Sequence, residues 1–352
     1  MIAALAIAAH AADWPLIQGT EAEGAALRPL GFVQVVGGAG DGWDLSVRRA
    51  RVGVRGTVPG VDAVAVFAAV ELGHNAITRV HPVVATDASL SLTAADVHLR
   101  AGRFKLPLGE EALESNPLAA EFVDVTETTG QLLQEQLAPD GGWVGASGYR
   151  DVAVAVFATR PVGAGAVSGA AALAQGQLGT GDDRDPDWVV RGTWSPWVSG
   201  RATDAHRSEV TFAGFAQVGR RQDDRRSRYG GAAWVETPRL RARVEGIGAS
   251  GALEVSSDPA DPEAGPRLVP DGRAAGGYGY VQWVSGPVAA GVRYDHLARE
   301  LGPEVQRFRT TSVDLQLRLP DHRVRLLLDG GVLRVDALPG APRLAAELQA
   351  AW

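Results

Sequence analysis

Arginine on every second residue, with an aliphatic side chain between, is the pattern that most limits what this chain can fold into. Arg49, Arg51 and Arg55 alternate with Ala50, Val52 and Val54. Arg239, Arg241, Arg243 and Glu245 alternate with Leu240, Ala242 and Val244. Asp314, Gln316 and Arg318 alternate with Val313, Leu315 and Leu317, and Arg323 and Arg325 with Val324, Leu326 and Leu328. Successive side chains of a strand point to opposite faces, so each segment has one charged face and one of hydrocarbon. A soluble sandwich buries the hydrocarbon face, whereas a transmembrane barrel turns it to lipid and the charge to its lumen.

The number of segments and the way they connect separate these two folds. About sixteen such segments fall near 30–36, 45–57, 62–72, 83–92, 96–104, 150–159, 164–175, 187–196, 208–219, 228–236, 239–249, 276–284, 287–296, 308–319, 322–333 and 343–352. Many have the roughly 9–11 residues a tilted strand needs to cross a bilayer. Even-to-odd connections are tight, as at Val58-Pro59-Gly60-Val61, Ser285-Gly286 and Pro320-Asp321, except the eighth-to-ninth, which is looser, through Trp197 to Arg207. Odd-to-even ones are longer, as from Arg220 to Ser227 and from Ser250 to Ala275. Sorting of loop length by parity belongs to outer-membrane barrels and has no counterpart in a Greek-key sandwich. The expected fold is therefore all-β, a transmembrane antiparallel barrel of about 16 strands.

Composition agrees. No run reaches the roughly 18 apolar residues of a membrane helix. Cysteine is absent, which suits an exported chain, and a net charge of -7 disfavours nucleic acid as a partner. Residues 1–12 form a short apolar run ending in Ala9-His10-Ala11, read as a truncated signal peptide. That leaves 13–352 as a single barrel domain. In the last segment Leu344, Ala346, Leu348, Ala350 and Trp352 share one face. An alternating strand that ends in an aromatic resembles the signal read by the barrel-assembly machinery.

Enzymatic readings lack a motif. Gly163, Gly165 and Gly169 are spaced G-x-G-x-x-x-G, which is not a dinucleotide fingerprint. The seven histidines show no paired ligand spacing, and nothing singles out a nucleophile. No catalysis, cofactor or metal is expected.

A row of arginines on a lipid face would cost about 2–4 kcal/mol each at the midplane. Arg49, Arg51, Arg55, Arg239, Arg241, Arg243, Arg293, Arg318, Arg323 and Arg325 are therefore expected to line the lumen, where rings of positive charge favour anions. The longest connection, between Phe104 and Arg150, starts at Lys105, the sole lysine, and carries Glu110, Glu111, Glu114, Glu121, Asp124 and Glu127. A loop this long in a compact domain is usually functional; the plain alternative is a solvated acidic loop. Arg220, Arg221, Arg225, Arg226 and Arg228, around Asp223 and Asp224, read as the tip of another loop, exposed to solvent or to lipopolysaccharide phosphates.

Four patches resemble the phosphate-selective porin O and P family of Gram-negative outer membranes. They are Ser46-Val47-Arg48-Arg49-Ala50-Arg51-Val52-Gly53-Val54-Arg55-Gly56, then Val97 to Gly109 (VHLRAGRFKLPLG), Arg150-Asp151-Val152-Ala153-Val154, and Val288 to His296 (VAAGVRYDH). The resemblance implies a homotrimer of sixteen-stranded barrels among outer-membrane lipid and lipopolysaccharide, each subunit with its own pore. It also implies that the third long loop folds inward as a constriction, setting its carboxylates across from the arginine wall. The implied activity is passive diffusion of small hydrophilic solutes, weakly anion-preferring, with phosphate among the anions. With one lysine, the chain lacks the lysine part of a phosphate site. A non-conducting barrel with a structural or surface-binding role is the alternative.

Overall fold

The computed structural model describes residues 27–39, 43–75, 78, 81–114, 121–134, 149–176, 186–199, 208–221, 224–255, 267–319, 324–336 and 338–351. Residues 1–12, Arg323 and Trp352 lie outside that set, and with them the expected signal peptide, one expected pore residue and the terminal aromatic.

Sixteen strands form one closed antiparallel barrel in which each pairs with its neighbours in sequence. They are β1 Arg28–Ala39, β2 Trp43–Val58, β3 Val61–Glu71, β4 Val84–Ala94, β5 Val97–Lys105, β6 Arg150–Val162, β7 Gly165–Ala174 and β8 Asp187–Ser199. The second half comprises β9 Ser208–Arg221, β10 Asp224–Glu236, β11 Leu240–Val255, β12 Arg267–Ser285, β13 Val288–Leu301, β14 Glu304–Arg318, β15 Val324–Val335 and β16 Ala341–Ala351. Closure is made by β1 against β16, from Phe32 opposite Ala351 to Ala39 opposite Leu344. Closing the sheet satisfies the backbone of every edge.

Burial alternates along the strands in the sense that separates a membrane barrel from a sandwich. In β14, Asp314, Gln316 and Arg318 are 5%, 0% and 7% exposed, while Val313, Leu315 and Leu317 are 55%, 47% and 41% exposed. Hydrocarbon faces out and charge faces in. Trp194, Trp197, Phe212 and Trp283 are also exposed, near the rim of short turns, and Trp194 stacks on Phe212 with centroids 5.6 Å apart. Amphipathic rings at that height suit a membrane–water interface.

Several strands outrun their sequence segments. Arg220 to Ser227 is not a loop: Asp224 pairs with Arg221 and Arg225 with Arg220 in the β9–β10 ladder. Likewise β11 continues to Val255 and β12 begins at Arg267, well inside the stretch expected to be a connection. β13 and β14 join through a tight turn at 302–303. Connection length therefore follows parity less strictly than expected. Near this rim the outward positions are Arg220, Arg225, Arg273, Arg307 and Arg309, all exposed. Beyond the apolar band both faces are polar, so the strands there lose the amphipathic signature.

Candidate functional site: the loop inside the lumen

The connection between β5 and β6 contains two short helices, α1 Glu110–Glu114 and α2 Glu127–Leu132. Pro107 and Gly109 stop the strand before α1. Thr126 caps α2, its Oγ1 accepting from the amide of Thr129 at 3.1 Å. Neither helix is long enough to be stable alone; the barrel wall holds both.

One side of the loop is apolar. Leu106, Leu108, Leu132 and Leu133 are each 2% exposed or less and pack against inward-facing Ala153, Ala155, Ala172, Ala174, Val189, Phe215 and Ile247. The small alanines of β6 and β7 make room for these leucines. Burying a leucine stabilises by about 1.5–3 kcal/mol, so this seam holds one side of the loop on the β6–β11 sector. Gly276 of β12 also permits close approach, since a Cβ there would stand 2.5 Å from Oγ1 of Thr128.

The other anchors are polar, and wall carboxylates cap both helices. Glu245 accepts from the amides of Glu110 at 2.7 Å and Glu111 at 3.2 Å, and from the Tyr278 hydroxyl at 2.7 Å. Asp295 accepts from the Glu127 amide and from Thr128 Oγ1, both at 2.6 Å. The first amides of a helix have no internal partner and favour an anion; here that anion comes from the opposite wall.

The acidic side chains meet arginines directly. Glu110 pairs with Arg191. Glu111 lies 3.4 Å from Arg293 and accepts from the amide and hydroxyl of Thr126. Glu121 lies 2.8 Å from Arg241 and 3.6 Å from Arg318. Asp124 lies 2.7 Å from Arg48, and Glu127 3.1 Å from Arg343. Desolvation works against charge on Asp124, but Arg48, Arg343 and Arg293 outweigh it and hold its carboxyl below the usual carboxylate range.

This contact pairing corrects the expectation of carboxylates facing an arginine wall across an open gap. The wall is itself of mixed charge, with Glu71, Asp87, Glu209, Glu245, Asp295, Asp314 and Glu347 all buried. Glu245 and Asp314 end runs that also carry arginine, whereas Glu71, Asp87, Glu209, Asp295 and Glu347 stand outside any arginine run.

The expected pore arginines divide into several environments. Arg51 is bonded to Glu71 at 2.6 Å, and Arg325 to Gln349 at 3.3 Å. Arg243 lies between the Trp234 and Tyr280 rings, 5.7 Å and 5.6 Å from their centroids. Arg293 lies 4.2 Å above Phe122 and donates to the Asp124 carbonyl at 2.8 Å. Arg49 is half-buried beside Gln34 and Glu111. Arg55 occupies the inward register opposite Phe67 but is exposed toward the short-turn end of β2.

Arg239 is a correction, because it lies exposed in the β10–β11 turn. Thr237 Oγ1 accepts from the Leu240 amide at 2.9 Å, and this turn delays the strand until Leu240. Lys105 donates to the Leu113 carbonyl at 2.9 Å. Glu114 ends α1, and its side chain lies outside the described residues.

Arg48 was outside the expected set for a clear reason. The register of β1 on β2 shifts between Gln34 and Val35, so Gln34 faces Arg49 and Val35 faces Val47. The extra residue is a bulge, and it lets consecutive Arg48 and Arg49 both serve the lumen. Among the described residues no His, Asp and Glu group is arranged to hold a metal.

Barrels of this shape occur among solved structures. OmpF of Salmonella typhi, in complex with daunomycin, superposes with a TM-score of 0.64 at 9% identity, over 94% of this chain and 98% of that one. An anion-selective porin from Comamonas acidovorans gives 0.58 at 12% identity, over 93% and 99%. OmpT of Vibrio cholerae, folded in vitro and in trimer form, gives 0.53 at 10% identity, over 94% and 100%. No protein-family model matches the sequence, and no curated protein does. At these identities the likeness is one of fold, that of Gram-negative outer-membrane porins.

Proposed function

We propose that this chain is an outer-membrane porin through which small hydrophilic solutes diffuse passively past the loop between β5 and β6. The observation that carries the reading is the inverted barrel, with hydrocarbon outward and paired charges inward around a loop anchored on both sides. A barrel with only a structural role has no use for a mixed-charge lumen narrowed at one level.

Selectivity follows from where charge is unbalanced. Arg49, Arg51, Lys105 and Arg150 occupy the β2–β6 sector, where Arg51 pairs with Glu71 and Arg150 with Asp87 at 3.1 Å. With Arg100 and Asp151, five cations against three carboxylates favour anions weakly at that level. Phosphate is the anion to test first, because of the resemblance to phosphate-selective porins. The described end of β16 and the exposed rim arginines suit the barrel-assembly machinery and lipopolysaccharide as partners, and the trimeric neighbour makes a homotrimer the expected assembly.

Planar-bilayer recording tests the reading. Ohmic current steps in groups of three support a trimeric channel, and electrically silent reconstituted protein favours the non-conducting barrel. Reversal potential in a salt gradient then gives the sign of selectivity, and cation preference contradicts the role given to the β2–β6 sector.

A further inference from the structure

Above its apolar band, the outer wall of the barrel carries charge that neither the loop nor the lumen uses. On β14, Phe308 and Thr310 face inward, 1% and 8% exposed, and Arg309 between them turns outward. The ladders set Arg309 directly opposite Arg334 of β15 on one side and the half-buried His296 of β13 on the other. Both arginines are exposed, and among the described residues neither meets a carboxylate. Two acids nearby are engaged elsewhere: Glu300 stands opposite Arg273, and Asp336 accepts from the Arg307 amide at 3.1 Å. Like charges directly opposite one another destabilise a sheet. A guanidinium pair without a carboxylate therefore calls for an anion supplied from outside the chain.

The residues beneath the pair decide which kind of anion fits. The next outward row down is Tyr294, Thr311 and Val332, followed by Val292 opposite Val313. Tyr294, Val292 and Val313 are 51%, 56% and 55% exposed, as lipid-facing side chains are. The pair thus stands where headgroups meet hydrocarbon. The long connection between β5 and β6 leaves from this rim, and long connections mark the extracellular end of such barrels, where the leaflet is built of lipopolysaccharide. Guanidinium forks bind phosphate bidentately, and two side by side match a phosphomonoester whose acyl chains run down the apolar wall.

We infer that the outer face of β13 to β15 binds a lipid A phosphate of lipopolysaccharide through Arg309 and Arg334, with His296 beside them. The inference rests on the outer-membrane placement in the porin reading and deepens it, without depending on conduction.

Native mass spectrometry of the full-length protein in detergent, titrated with purified lipid A, tests it. EDTA is present throughout, so that no divalent cation bridges phosphate to a carboxylate. Phosphatidylglycerol and dephosphorylated lipid A are titrated in parallel. Lipid A is expected to bind at about tenfold lower concentration than either, from two basic side chains at the membrane surface. Arg309→Gln combined with Arg334→Gln should abolish that preference. Arg239→Gln, which removes an exposed arginine at the opposite rim, should leave it intact. Equal binding of phosphatidylglycerol, or a preference that survives the double substitution, overturns the inference. So does loss of the oligomer in the double variant, which would make this wall a contact between copies of the chain. Conduction is a separate readout. A conducting protein without the lipid A preference sinks the inference alone, and an electrically silent protein that keeps it sinks only the channel.

Discussion

Asp124 shows how a single lumenal residue is defined by its neighbours rather than by its type. Its carboxyl is 48% exposed yet held by Arg48 at 2.7 Å. Its folded-state ionisation lies below the ordinary range, so the latch is fully present above the unfolded value, about 3.9. It is lost only as pH falls through the depressed folded value. The Arg48–Asp124 contact should therefore hold from neutrality down to about pH 4, and the part of any conductance change that depends on it should appear only in stronger acid. Asp124→Asn should loosen the loop already at neutral pH and remove the acid transition. An unchanged acid transition in the variant would assign it to another group. Arg48, the partner, shows what residue identity leaves out. Strict alternation sends one member of the Arg48-Arg49 pair to lipid, and only the bulge in register between β1 and β2 turns both inward.

Among the elements, the strands were readable and the loop only partly so. Alternation depends on neighbours along the chain, and it places Val156 of β6 outward, 44% exposed, between lumenal Ala155 and Phe157. Val156→Arg should destabilise the folded barrel by about 2–4 kcal/mol if it sits near the bilayer midplane, read as a shift in the unfolding midpoint in lipid. Val156→Leu should be close to neutral. The loop's acidity was equally visible, but its anchors were not, since Glu245 and Asp295 cap its helices from more than a hundred residues away. α2 sits against Gly276 with no room for a Cβ. Gly276→Val should therefore displace the helix, at about 1–3 kcal/mol for overpacking. The expected readouts are higher unit conductance and new protease cleavage between 121 and 134; unchanged conductance would mean that α2 does not narrow the pore.

At the scale of the whole molecule, closure depends on the two ends of the described chain meeting. Gln34 of β1 donates to Glu347 of β16 at 2.8 Å inside the lumen, and the two backbones pair along eight residues. A chain ending at Gly340 would leave the edges of β1 and β15 unpaired. It should fail to give the compact, heat-modifiable band of a folded barrel on electrophoresis, and recovery of that band would show that fifteen strands can close.

The period-two pattern by itself determined the fold class, the near count of strands and the inward direction of Arg51, Arg241, Arg243, Arg293, Arg318 and Arg325. That information is local, because lipid and lumen impose opposite polarity on adjacent residues. Only the tertiary structure decided that β9 to β12 continue past the apolar band, that Arg239 stays in a turn and that the loop carboxylates are paired. It alone revealed the inward rings of Tyr278 and Tyr280. Each of these depends on a ladder partner, a capping carboxylate or a packed leucine distant in sequence, and no periodicity along one strand encodes a partner across the barrel.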